Sequence, residues 1–67
     1  MFIKLTNAVN EYAGEPLLVN IDNIISIYCY HKKHGSLSTR VFVKDGREFV
    51  VEESYFEIEK KISELII

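Results

Sequence analysis

The sequence predicts an α+β fold: a small antiparallel sheet of four to five strands, able to curl toward a barrel, with one C-terminal α-helix. Three observations carry this. Residues 24–31 (IISIYCYH) are β-branched and aromatic on both faces, which suits a strand. Asp45-Gly46 stands between VFVK and REFVV, the pattern of a hairpin with a two-residue turn. Ser54 precedes Glu57 by three residues, a capping box that opens a helix.

From the N-terminus, residues 2–5 read as a short strand ended by Thr6 and Asn7. Residues 7–15 are polar and punctuated by Gly14, so they read as a loop, with Tyr12 best able to fold back on the body. PLLVN at 16–20 reads as a second strand, with Pro16 at the one position where a missing N–H does no harm. NIDN at 20–23 reads as a tight turn or a single helical turn. In the strand at 24–31, strict alternation puts Ile25, Ile27 and Cys29 on one face. Ile24, Ser26, Tyr28 and Tyr30 fall on the other.

A two-residue turn at Asp45-Gly46 sets Lys44 opposite Arg47, Val43 opposite Glu48, Phe42 opposite Phe49 and Val41 opposite Val50. Phe42 and Phe49 then share one face of the hairpin, and the valines share the other with Glu48. In the helix, Tyr55, Ile58, Ile62, Leu65 and Ile66 recur on one side. Glu52 and Glu53 complement its N-terminus.

All of this fits a single domain, residues 1–67. A chain of this length buries only about 60% of the surface it exposes when unfolded. Small folds usually gain support from disulfides, a metal or partner subunits. Cys29 is the one cysteine, so an internal disulfide is impossible, and no Cys/His cluster suits structural zinc. Self-association is the remaining support. The apolar fraction of 48% is enough for an interface as well as a core. Both faces of the predicted hairpin are apolar, and one helix covers only one of them. The interface residues expected on this basis are Tyr28, Tyr30, Phe42, Phe49 and Ile66.

The net charge of −2, from 8 basic and 10 acidic residues, weighs against a phosphate-backbone binder. No apolar run approaches the ~20 residues that span a bilayer, and the start MFIK lacks the features of a signal peptide. A free cysteine without an export signal fits a cytoplasmic protein.

Candidate chemistry is sparse. His31 and His34 flank a Lys-Lys loop with no carboxylate or cysteine at a ligand-like interval, so no metal site is expected. Cys29 lies mid-strand, where cysteine serves as a small core residue. No residue set combines a nucleophile, a base and an oxyanion site, so neither catalysis nor a cofactor is expected. Lys32, Lys33, Arg40 and Arg47 are interleaved with aromatics and form the candidate site for a nucleotide or other anion. The competing reading is a solvated sheet edge kept from aggregating by its charges.

One pattern spans nearly the whole chain. It runs Ile3-Lys4-Leu5-Thr6, Gly14, Leu18-Val19-Asn20, Ile24 and Ile27. It continues with Val41-Phe42-Val43, Asp45-Gly46, Phe49-Val50-Val51, Glu53-Ser54 and the closing helix. It resembles the small flagellar FlbD-type proteins, and is similar to small proteins of phage and mobile-element genomes. The resemblance implies a non-enzymatic accessory or regulatory protein that binds another protein. Residues 24–65, with strand, Asp-Gly hairpin and helix, look like the first half of a LytTR-type DNA-binding domain, which implies a nucleic-acid-binding alternative.

Overall fold

The computed structural model describes residues 1–31 and 37–66, without the side chains of Asn10, Tyr30, His31, Leu37 and Ser38. Five antiparallel strands and one helix make an α+β fold. They are β1 (Phe2–Thr6), β2 (Pro16–Asn20), β3 (Ile24–His31), β4 (Leu37–Val43), β5 (Glu48–Val51) and α1 (Tyr55–Leu65).

The strands form two sheets, β1-β2 and β3-β4-β5. In the first, Ile3 pairs with Val19 and Leu5 with Leu17. The alternation buries Ile3, Leu5 and Val19 and leaves Phe2 and Leu18 exposed on the opposite side. The loop between them holds a 3-10 turn, Asn10–Tyr12, and closes through Asn7 N–H to the Glu15 carbonyl at 2.9 Å. Tyr12 does not fold back: it is exposed, because the turn bonds to its own backbone and leaves the ring outside. Asn20 caps a second 3-10 turn, Ile21–Asn23, by accepting the Asp22 N–H at 3.1 Å. This turn leads straight into β3.

Two corrections to the sequence reading concern register. First, the β4–β5 hairpin has a three-residue loop. Gly46 N–H reaches the Val43 carbonyl at 3.0 Å, and Val43 N–H reaches the Arg47 carbonyl at 3.1 Å. Gly46 sits at φ +90°, the left-handed residue that closes such a loop. The extra loop residue shifts every pair by one: Val41 faces Phe49, Phe42 faces Glu48, Arg40 faces Val50 and Thr39 faces Val51. Phe42 and Phe49 therefore lie on opposite faces, and Glu48 leaves the valine face.

Second, a bulge interrupts the β3–β4 ladder between Ile24 and Ser26. The extra residue is Ile25, which is exposed. Ile24 and Ile27 consequently both pack against the core, where strict alternation puts them on opposite sides.

The two sheets share one core: Ile3, Leu5, Val19, Val41, Val43, Val51 and Ile58. They are joined where β1 meets β5. Asn7 bridges Val51, Ala8 N–H bonds the Val50 carbonyl at 3.0 Å, and Glu52 N–H bonds the Thr6 carbonyl at 2.9 Å. Helix α1 starts at Ser54, whose hydroxyl accepts the Glu57 N–H at 3.1 Å, as the capping box predicts. It delivers Ile58 fully buried to the core, with Ile62 partly buried beside it.

Candidate functional site

The one-residue shift in the hairpin decides what the three-stranded sheet shows to solvent. Cross-strand pairing aligns Ser26 with Phe42 and Glu48, and Tyr28 with Arg40 and Val50, on the face away from the core. Phe42 is half-buried against Tyr28, whose ring meets it edge-on at 5.4 Å between centroids. Tyr28 itself is 56% exposed. Arg40 reaches diagonally across β5 and donates to the Glu48 carboxylate at 2.7 Å. Pairing of this kind near the surface stabilises by about 0–1 kcal/mol, but it fixes the guanidinium beside the aromatic pair. A dish of about 360 Å³ is lined by Tyr28, Cys29, Arg40 and Phe42. Cys29 is exposed rather than buried: it lies on β3, the edge strand of its sheet.

A second cleft, of about 320 Å³, lies between β2 and the hairpin tip. Phe2, Leu18 and Phe49 supply its apolar part, and Lys44, Asp45 and Arg47 its charged part. Phe49 faces the core side, packed against it, with the Arg47 guanidinium 5.6 Å from its ring centroid. Arg47 also donates from Nε to the Asp45 carboxylate at 2.7 Å. The Arg47 backbone N–H, and then its guanidinium, hold the Asp45 carboxyl below its ordinary value.

A third cleft, of about 280 Å³, separates residues 24–27 of β3 from Tyr55, Glu59, Ile62 and Ser63 of α1.

The residues singled out from the sequence therefore divide. Tyr28 and Phe42 meet on the uncovered sheet face. Phe49 is on the other side of the hairpin, and Ile66, exposed, caps the end of α1. Arg40 and Arg47 line different clefts. Lys32, Lys33 and His34 lie outside the described residues, as does the side chain of Tyr30. Among the described residues, no group of three or more His, Cys, Asp or Glu could hold a metal ion. No described helix is long and apolar enough to cross a membrane.

Sequence reasoning missed Phe2 and Leu18, which sit on the outer face of β1-β2 and line the second cleft. Strict alternation from the buried Ile3 and Val19 was the signal that places them outside. It also missed Glu53, which bonds Thr6 across the molecule. No known protein family, curated protein or solved structure matches the chain.

Proposed function

We propose that this chain is a small non-enzymatic protein-interaction module, regulatory in role, that works as a homo-oligomer joined through the outer face of β3-β4-β5. The observation that carries the reading is the Tyr28–Phe42 pair, with Tyr28 56% exposed, on a sheet face that no described element covers. The two charges on the face, Arg40 and Glu48, pair with each other within the chain and so do not oppose the approach of a second copy. The FlbD-type resemblance of the sequence points in the same direction, toward a regulatory protein that acts by binding another.

Light scattering over a range of concentrations tests this. A mass of at least twice the chain mass at micromolar concentration supports the reading, and a monomer mass rejects it.

The cleft with Arg47 and Phe49 favours a second reading, a module that binds a nucleotide or other anion. A cation beside an aromatic ring is the chemistry that holds a charged base-bearing ligand. Asp45, already paired with Arg47, opposes an anion there and places this reading second. Thermal melting with a panel of nucleotides separates the two. A ligand at 100 times its dissociation constant adds about 2.7 kcal/mol of stability.

A further inference from the structure

The groove between β3 and α1 combines two features that separately mean little. The first is a sheet edge. β3 has one sheet neighbour, β4, and its other side ends the sheet. Among the described residues, no backbone hydrogen bond joins that side of residues 25–31 to any other element. Such an edge is a row of donors and acceptors spaced to receive an extended backbone. The second is the cleft beside it, whose walls are residues 24–27 on the strand side and Tyr55, Glu59, Ile62 and Ser63 on the helix side.

The chemistry of those walls is selective. Ile25 stands 65% exposed at the strand rim, and Tyr55 is exposed at the helix rim. Ile62 forms part of the apolar wall. The Ser63 hydroxyl is already committed, donating to the Glu59 carbonyl at 2.9 Å. Glu59 is the acidic residue among those lining the cleft, and its carboxylate has no hydrogen-bond or ion-pair partner among the described residues. At about 280 Å³ the space lies just below the roughly 300–1,000 Å³ of small-molecule sites. It suits side chains better than a cofactor.

We propose that an extended peptide segment of a partner protein binds here, adding a strand to the free edge of β3. An aliphatic side chain of the peptide enters the cleft, and a lysine or arginine of the peptide meets Glu59. Strand addition of this kind draws affinity from main-chain hydrogen bonds and selectivity from pockets for alternate side chains. The bulge at Ile25 twists the start of the edge away from regular pairing. The ladder with the peptide therefore runs along residues 27–31, while the stretch beside α1 recognises side chains. The proposal rests on the protein-interaction reading above and names the partner chemistry of a surface distinct from the self-association face.

The probe is a set of seven-residue peptides alternating valine and threonine, each with one lysine at a different position. Binding is followed by the amide shifts and hydrogen exchange of the isotope-labelled protein, with its mass measured in parallel. The expected result is protection of outward amides within residues 25–31 and shifts at Glu59 and Ser63, with the mass of one complex per chain unchanged in assembly state. N-methylation of the peptide amides on one edge weakens binding about tenfold, as loss of main-chain hydrogen bonds requires, while methylation on the other edge does not. Glu59→Lys, at an exposed position, reverses the preference from the lysine peptide to its glutamate counterpart. Peptides that perturb only the Tyr28–Phe42 face, or no amide at all, overturn the proposal. If the protein remains self-associated in that case, the interaction reading survives and the groove alone is lost. Conversion of the oligomer to monomers by peptide also overturns it, because the β3 edge is then the surface that pairs with a second copy.

Discussion

Glu53 ties the start of the chain to the start of the helix: its carboxylate accepts the Thr6 backbone N–H at 2.8 Å and the Thr6 hydroxyl at 2.9 Å. Thr6 ends β1, and Glu53 immediately precedes the helix cap, so one side chain joins elements 47 residues apart. The neighbouring Glu52 N–H bonds the Thr6 carbonyl and completes the junction. The Thr6 and Glu53 side chains are both partly buried there. Glu53→Ala removes two charge-assisted hydrogen bonds and should destabilise the fold by about 2 kcal/mol. Urea unfolding of the two proteins measures the difference, and Thr6→Val should lose a smaller share because its backbone N–H still finds the carboxylate.

Ile58 is the helix residue that the core depends on, fully buried beside Leu5 and Val41. Ile58→Ala should cost about 2–5 kcal/mol. Ile62, only partly buried, should cost less when truncated the same way. Thermal melts of both variants check the order, since each kcal/mol is about 4–8 °C in a domain of this size. Equal effects at the two positions would contradict the placement of the helix.

These positions also show what the sequence made legible. The strands and the capped helix follow from β-branched runs and the Ser54–Glu57 pair, but of the apolar face that helical spacing marks only Ile58 is buried and Ile62 partly so, while Tyr55, Leu65 and Ile66 are exposed. Register was not legible. Asp45-Gly46 favours a two-residue turn, yet the loop takes Lys44 as a third residue, and that single unit moved Glu48 to the outer face and Phe49 to the core side. The bulge at Ile25 had no local signature, because isoleucine is as good in a regular strand as in a bulged one. The Thr6–Glu53 contact was hidden for another reason. A glutamate before a helix is explained equally well by the helix dipole, and only the tertiary fold brings Thr6 to it.

Gly46 is required by conformation rather than by space. Its φ is +90°, and a Cβ built there meets nothing within 4 Å. Gly46→Ala should therefore destabilise by about 1–2 kcal/mol through backbone strain alone. A chemical melt reads the loss. If Gly46→Ala is neutral, the loop has relaxed to a different turn and the register described for β5 is in error.

Asp45 gives the hairpin tip a pH dependence of known sign. The Arg47 N–H and guanidinium lower the folded carboxyl below its ordinary 3.8. A lowered folded value means that the contribution is present above the unfolded value and fades as pH falls through the folded one. Asp45→Asn should therefore reduce stability at pH 7 and cease to matter in strong acid. Melting both proteins from pH 7 to pH 2 checks this. A difference that grows toward acid would contradict it. Because the pair is exposed, added salt should shrink the effect at neutral pH.

The uncovered face of β3-β4-β5 stands at the centre of the functional account, with Tyr28 against Phe42 and Arg40 held by Glu48. Tyr28→Lys places a charge on that face at a position already 56% exposed, so the isolated chain should still fold. The decisive measurement is the mass in solution of the native chain and of Tyr28→Lys, by light scattering at the same micromolar concentrations, with circular dichroism to verify folding. An oligomer is expected for the native chain and a folded monomer for the variant. A native chain that is already monomeric, or a variant that keeps the native mass, would contradict it.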